Sequence, residues 1–103
     1  MDANITTALV KIRQALRISH TALDDDIQAD IEACIADLAV VGVVHADITA
    51  PLVFNAVKLY CRSLYTDDPA KGAEYLRRYE ALKACLMMAE GYGYQDEEAG
   101  ADG

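Results

Sequence analysis

DDDIQADIEACIADLAVVGV, residues 24–43, is the stretch whose reading decides the fold class. Ile27, Ile31, Cys34, Ile35 and Leu38 recur at the three-and-four spacing of one helical face, and Gln28, Asp30, Glu32 and Asp37 fill the other faces. Asp24 is placed to cap the helix, with Asp25 and Asp26 setting negative charge against the unpaired N–H groups of the first turn. Gly42 marks the end, because glycine enters the left-handed conformation at no steric cost.

Working outward toward the N-terminus, the spacing predicts a helix from about Thr7 to Ile18, with Leu9, Ile12 and Leu16 on one face and Thr6 or Thr7 as cap. Ser19, His20 and Thr21 break the period. In the other direction VVGVVHADI, residues 40–48, reads equally as a helix end with an extended connection or as a short strand, and we assign it as a connection. Thr49 and Pro51 then announce a third helix to about Tyr65, since the first turn has no use for the N–H that proline lacks. Its expected apolar stripe is Leu52, Ala56, Leu59, Tyr60 and Leu64. Asp68 as cap and Pro69 at the first position open a fourth helix to about Ala89, with Leu76, Tyr79, Leu82 or Lys83, and Leu86 as its stripe. Glu74 precedes Arg78 by four residues, the favourable order for a helical ion pair, while Gly72 weakens the first turn.

These elements predict an all-α chain, a compact bundle of about four helices over residues 1–90, followed by a flexible acidic tail over residues 91–103. At 103 residues there is room for one modest core. With no Trp and one Phe, that core draws on Leu, Ile, Val, Ala and Tyr.

The net charge of -8 argues against neutralisation of nucleic-acid phosphates as the main role. No apolar run approaches the ~18 residues of a membrane span, so no membrane partner is expected. The residues before Ala8 carry neither the basic stretch nor the apolar run of a secretion signal, which points to a chain that stays in the cytoplasm where it is made. Cys34, Cys61 and Cys85 are odd in number and widely spaced, which does not suit a disulfide framework, and with His20 and His45 they lack the paired spacing of a zinc site. No phosphate loop, dinucleotide fingerprint or catalytic triad pattern is present, so neither cofactor nor metal nor enzymatic activity is expected. Asp24-Asp25-Asp26 reads as a helix start rather than a metal cluster, because successive helical residues point about 100° apart.

Charge placement is more informative. Residues 24–47 carry seven acids and no base, whereas residues 58–83 carry six bases against four acids. Such polarity suits neighbouring copies that meet acid to base in a head-to-tail assembly. Tyr92 and Tyr94, in a polar and glycine-flanked segment, are the aromatic residues hardest to place in a core.

The succession LVKIRQALRIS (9–19), DDDIQADIEACIADLAVVGV (24–43), PLVFNAVKLYCRSLYTDD (51–68) and YLRRYEALKACL (75–86) resembles the head-tail connector family of tailed bacteriophages, also called adaptor or head-completion proteins. The resemblance spans about residues 5–88 and is a hydrophobic skeleton rather than a set of invariant polar residues. Ser19 departs from it, standing where members often carry an acid, and the glycine-rich acidic C-terminal segment is not a signature of the family.

The resemblance implies a ring of about twelve subunits beneath the portal protein, extending the DNA channel toward a stopper or tail-completion protein at the head-tail junction of the virion. An acidic lumen would let DNA pass without specific binding. On this expectation Arg62, Arg77 and Arg78 meet Asp30 and Asp37 of a neighbour at the subunit interface, and Tyr92 and Tyr94 dock on the portal. The alternative from composition is a small acidic regulator or DNA mimic that binds a basic protein.

Overall fold

The computed structural model describes residues 3–43 and 46–89, and the expectations for residues 91–103, Tyr92 and Tyr94 among them, lie outside the described residues. Four helices follow one another: α1 (Ala3–Ala15), α2 (Asp24–Val40), α3 (Pro51–Tyr65) and α4 (Pro69–Met88). Among the described residues there is no β-strand, and the stretch after α2 is a connection. The all-α bundle predicted from periodicity is the observed fold.

α1 begins earlier than its periodicity suggested. Ile5 and Ala8 join Leu9 and Ile12 in the core, so Thr6 and Thr7 lie inside the helix and do not cap it. It also stops earlier, at Ala15. Arg17 adopts the left-handed conformation, φ 61°, while the Arg17 N–H donates to the Gln14 carbonyl and the Ile18 N–H to the Arg13 carbonyl. That pair of bonds is the Schellman arrangement, normally built on glycine.

α2 ends the same way on the expected residue. Gly42 sits at φ 103°, with its N–H on the Ala39 carbonyl and the Val43 N–H on the Leu38 carbonyl. Val43 and Leu38, the residues flanking this turn, are both buried. The start of α2 corrects the sequence reading. Leu23 holds the cap position without a side-chain bond, and Asp24 is the first helical residue. Its carboxylate instead accepts the Arg13 guanidinium at 2.7 and 2.8 Å, tying α2 to the last turn of α1.

Pro51 opens α3 after an Asp47 turn, in which the Asp47 carboxylate accepts the Thr49 N–H at 2.9 Å and its hydroxyl at 2.8 Å. At α4 the expected cap is observed: Asp68 accepts the N–H groups of Ala70 and Lys71, and Pro69 takes the first position.

The core is drawn from all four helices around α3, which packs most extensively on α4 and also meets α1 and α2. The α2 stripe is the predicted one, with Ile27, Ile31, Cys34 and Leu38 fully buried and Ile35 half-buried. The α3 stripe matches only in part, with Ala56 buried as expected. Val53, Ala56, Val57 and Cys61 are buried, whereas Leu52 and Leu64 are exposed and Leu59 and Tyr60 are only partly covered. On α4 Tyr79 and Leu86 are buried as expected, but Leu76 is exposed. The inward face of α3 is built from residues smaller than its leucines, and at its C-terminal end the helix comes close to the first turn of α4. A Cβ at Gly72 of α4 would stand 3.3 Å from the Ser63 carbonyl oxygen and from Thr66 Cγ2. The glycine that weakens the first turn of α4 is thus what admits this approach.

Candidate interaction surface

Two groups of polar side chains stand out, and they differ in character. The first is a polar lattice joining α2 to α3 and α4. The Tyr79 hydroxyl donates to Asp37 Oδ2 at 2.6 Å, Lys83 Nζ donates to the same oxygen at 3.0 Å and also pairs with Glu80, and the Tyr65 hydroxyl donates to Asp30 Oδ2 at 2.7 Å. The Tyr60 and Tyr79 rings pack at 5.2 Å, tilted to one another, and the Lys83 ammonium lies over the Tyr79 ring.

The electrostatics of this lattice favour structure over chemistry. Burial, and then the bond to Asp37, push the Tyr79 phenol upward, and burial with the Asp30 bond does the same for Tyr65. The bonds from Tyr79 and Lys83 hold Asp37 below the usual carboxylate range. Burial opposes the charge of Lys83, but the bonds to Asp37 and Glu80 outweigh it and raise the group. Both phenols therefore keep their protons as donors, the opposite of what a general base requires. Burial pushes the thiol of Cys34 up to about 11 and that of Cys61 up to about 12, which keeps both as unreactive thiols, and Cys85 is exposed.

The second group is a cleft of about 500 Å³ where the C-terminal ends of α1 and α3 meet the first turns of α4. Arg17, Arg62 and Lys71 line it together with Tyr65, Tyr75 and Asp67. Arg62 lies 5.8 Å from the centre of the Tyr75 ring, which holds the guanidinium in place without neutralising it. Among the described residues, none of these three cations is paired with a carboxylate. Of the nine lysines and arginines, Arg13, Arg77, Arg78 and Lys83 are paired, Lys11 and Lys58 are also unpaired among the described residues, and the remaining three gather in this cleft.

The residues expected at a subunit interface are thus dispersed. Asp30 and Asp37 turn toward tyrosines of their own chain. Arg77 and Arg78 are exposed on α4 and share Glu74, whose carboxyl is held below its ordinary range chiefly by the bond from Arg78, 2.8 Å away. Arg62 alone of the set enters the cleft, where it meets Arg17 and Lys71, which sequence reasoning did not single out. No glycine or spacing signal marked Arg17, because a left-handed arginine has no sequence signature.

Beside the cleft a shallower groove of about 310 Å³ runs between α3 and α4, flanked by the exposed side chains of Leu64 and Leu76. Among the described residues no cluster of three or more His, Cys, Asp and Glu side chains is placed to hold a metal ion, and no helix is long and apolar enough to cross a membrane. No family model, curated protein or solved structure matches the chain.

Proposed function

We propose that the chain is a structural subunit of a phage head-tail connector ring, which binds beneath the portal, extends the DNA channel and joins the filled head to the tail. The observation that carries this reading is the succession of four sequence segments resembling that family, one to each helix of a single bundle. Two surface features support an assembling role. Leu64 and Leu76 leave an uncovered apolar groove on α3 and α4, the kind of surface that a partner buries. The cleft of unpaired cations gives an otherwise acidic subunit a second, opposite-signed patch, and a closed ring needs two different patches that match.

In this reading Arg77 and Arg78, with their Glu74 partner, face an adjacent subunit, and Tyr92 and Tyr94 engage the portal. The acidic lumen repels phosphates, so DNA slides without sticking. Neither catalysis nor a cofactor takes part, and the protein resides at the head-tail junction of the virion.

Light scattering of the purified chain, alone and mixed with a candidate portal protein, tests the proposal. A ring-sized species in either sample is the expected result. A monomer that ignores the portal at every protein and salt concentration would overturn it, and the net charge of -8 would then favour an acidic regulator or DNA mimic acting on a basic protein. Deleting residues 91–103 is expected to leave the helical fold intact and abolish portal binding.

A further inference from the structure

Arg17 is, among the described residues, the one non-glycine residue in the left-handed region. Arginine there clashes with its own backbone in a way that glycine does not, and the Schellman turn at Gly42 of the same chain shows the unstrained solution. Retained strain of this kind has meaning when the side chain it positions has a task. The Arg17 side chain lines the cleft with Arg62 and Lys71, three cations against Asp67 in the lining. Asp68 stands beside Lys71 as the cap of α4, accepting N–H groups of that helix, and beyond the Tyr65 wall lie Asp26 and Asp30, of which Asp30 is already accepting the Tyr65 hydroxyl.

A site with three unpaired cations and one acid is built for a ligand with several negative charges. The chain carries such a ligand. Residues 90–103 hold Glu90, Asp96, Glu97, Glu98 and Asp102 with no base, and Asp96, Glu97 and Glu98 are consecutive. Reach decides which copy supplies it. Lys71 and Tyr75 lie 17 and 13 residues before Met88 on one helix, a return of roughly 20–26 Å along its axis at ~1.5 Å per residue. Counted from the same Met88, the nine residues to Glu97 reach roughly 30 Å when fully extended. A chain filling its own cleft would have to run back along α4 largely extended, while a neighbour's segment meets no such constraint.

We propose that the cleft receives the carboxylates of Asp96, Glu97 and Glu98 from a neighbouring copy of the chain. The contact is heterologous, cleft to C-terminal segment, so it propagates from copy to copy and is weakened by salt. It requires no portal, and it is independent of any contact made by Tyr92 and Tyr94.

The test uses the full-length chain carrying Asp96→Asn, Glu97→Gln and Glu98→Gln as receiver, and a fluorescein-labelled peptide of residues 90–103 as probe. Saturable binding in fluorescence polarisation is expected, falling at least tenfold when Arg17→Gly or Lys71→Glu is added to the receiver, and falling again as salt is raised. Arg17→Gly is also expected to raise the melting temperature by about 2–6 °C, because relief of the left-handed strain outweighs the added freedom of the unfolded chain. A stabilised receiver that no longer binds identifies Arg17 as held for the ligand. A lower melting temperature would make Arg17 structural and overturn the proposal, as would peptide binding indifferent to both substitutions or no binding at all. Inorganic phosphate that displaces the peptide at equal concentration would overturn the carboxylate assignment. A wild-type chain that binds no labelled peptide and sediments as a monomer at all concentrations would overturn the neighbouring copy as the source.

Discussion

The Tyr79 hydroxyl reaches Asp37 across 2.6 Å and 42 positions of sequence, fastening the middle of α4 to the last turns of α2. The ring itself is buried, so the bond sets a polar tip at the edge of an apolar core. Tyr79→Phe keeps the ring and removes the donor to a charged acceptor, a loss of about 1–1.5 kcal/mol, given that Lys83 and solvent still reach Asp37. Asp37 is held below its ordinary range by this bond, so its contribution is present above the unfolded carboxylate value and is lost as pH falls through the folded one. Urea unfolding at pH 7 and pH 3.5 should therefore show a larger difference between wild type and Tyr79→Phe at pH 7.

Alkaline pH should destabilise the fold by the converse route. Burial raises the thiols of Cys34 and Cys61 and the phenols of Tyr60, Tyr65 and Tyr79, so each holds its proton more tightly folded than unfolded. The stability they contribute is whole below the unfolded thiol value of about 8.5 and declines as the pH rises, with the phenols joining above about 10. Denaturant midpoints under reducing conditions are expected to fall steadily between pH 8.5 and 11, and Cys34→Ala with Cys61→Ala should delay the onset toward pH 10. A midpoint constant to pH 11 would show that these groups ionise in the folded chain.

The three acids at the start of α2 are not equivalent. Asp24 is engaged by Arg13 with both side chains mostly covered, 19% and 24% exposed, whereas Asp25 and Asp26 are exposed. Asp24→Ala should cost about 1–2 kcal/mol through the lost pair and the charge left behind on Arg13. Asp25→Ala should cost less than about 0.5 kcal/mol, a dipole contribution alone. Thermal melts of the two variants side by side distinguish a tether from a generic acidic helix start, since equal losses would be the signature of the latter.

Helix boundaries were legible wherever a residue type has one strong conformational reason to be there. Pro51, Asp68 with Pro69, and Gly42 each did what proline, a capping aspartate and a C-terminal glycine do. The α2 stripe was legible because its polar residues leave one apolar face. PLVFNAVKLYCRSLY is apolar on most faces, so periodicity offers two stripes, and the larger leucines suggested the wrong one. Val53, Ala56, Val57 and Cys61 are the set turned inward, and only the packing of the other three helices around α3 selects it. The cleft was illegible for a related reason. Residues 17, 62 and 71 belong to three different helix ends, and only the packing brings them together.

The corrected register of α3 makes a sharp contrast between neighbouring positions. Val57 is fully buried and Leu64, two turns on, is 51% exposed. Val57→Asp buries an unpaired charge and should leave the chain unfolded, as should Ile31→Asp in α2. Leu64→Asp should fold with a melting temperature close to wild type and reduced self-association. Circular dichroism decides the matter, and an unfolded Leu64→Asp beside a folded Val57→Asp would restore the stripe expected from sequence.

At Gly72 two effects oppose one another, and their sizes predict a graded series. Alanine gains about 1 kcal/mol of helix propensity over glycine at an interior position. Its Cβ would also stand 3.3 Å from a backbone carbonyl oxygen of Ser63, which cannot swing aside, and 3.3 Å from Thr66 Cγ2, which can. A shift of a few tenths of an ångström relieves the contact for alanine, so Gly72→Ala should change stability by less than about 1 kcal/mol. Valine adds two methyl groups at a position where a Cβ already presses on α3, forcing α3 and α4 apart at a cost of about 2–3 kcal/mol. Removing the Thr66 methyl should recover part of that cost, so Thr66→Ser in the Gly72→Val background is expected to be more stable than Gly72→Val alone. Independent, additive effects of the two substitutions would mean that the helices do not meet at this point.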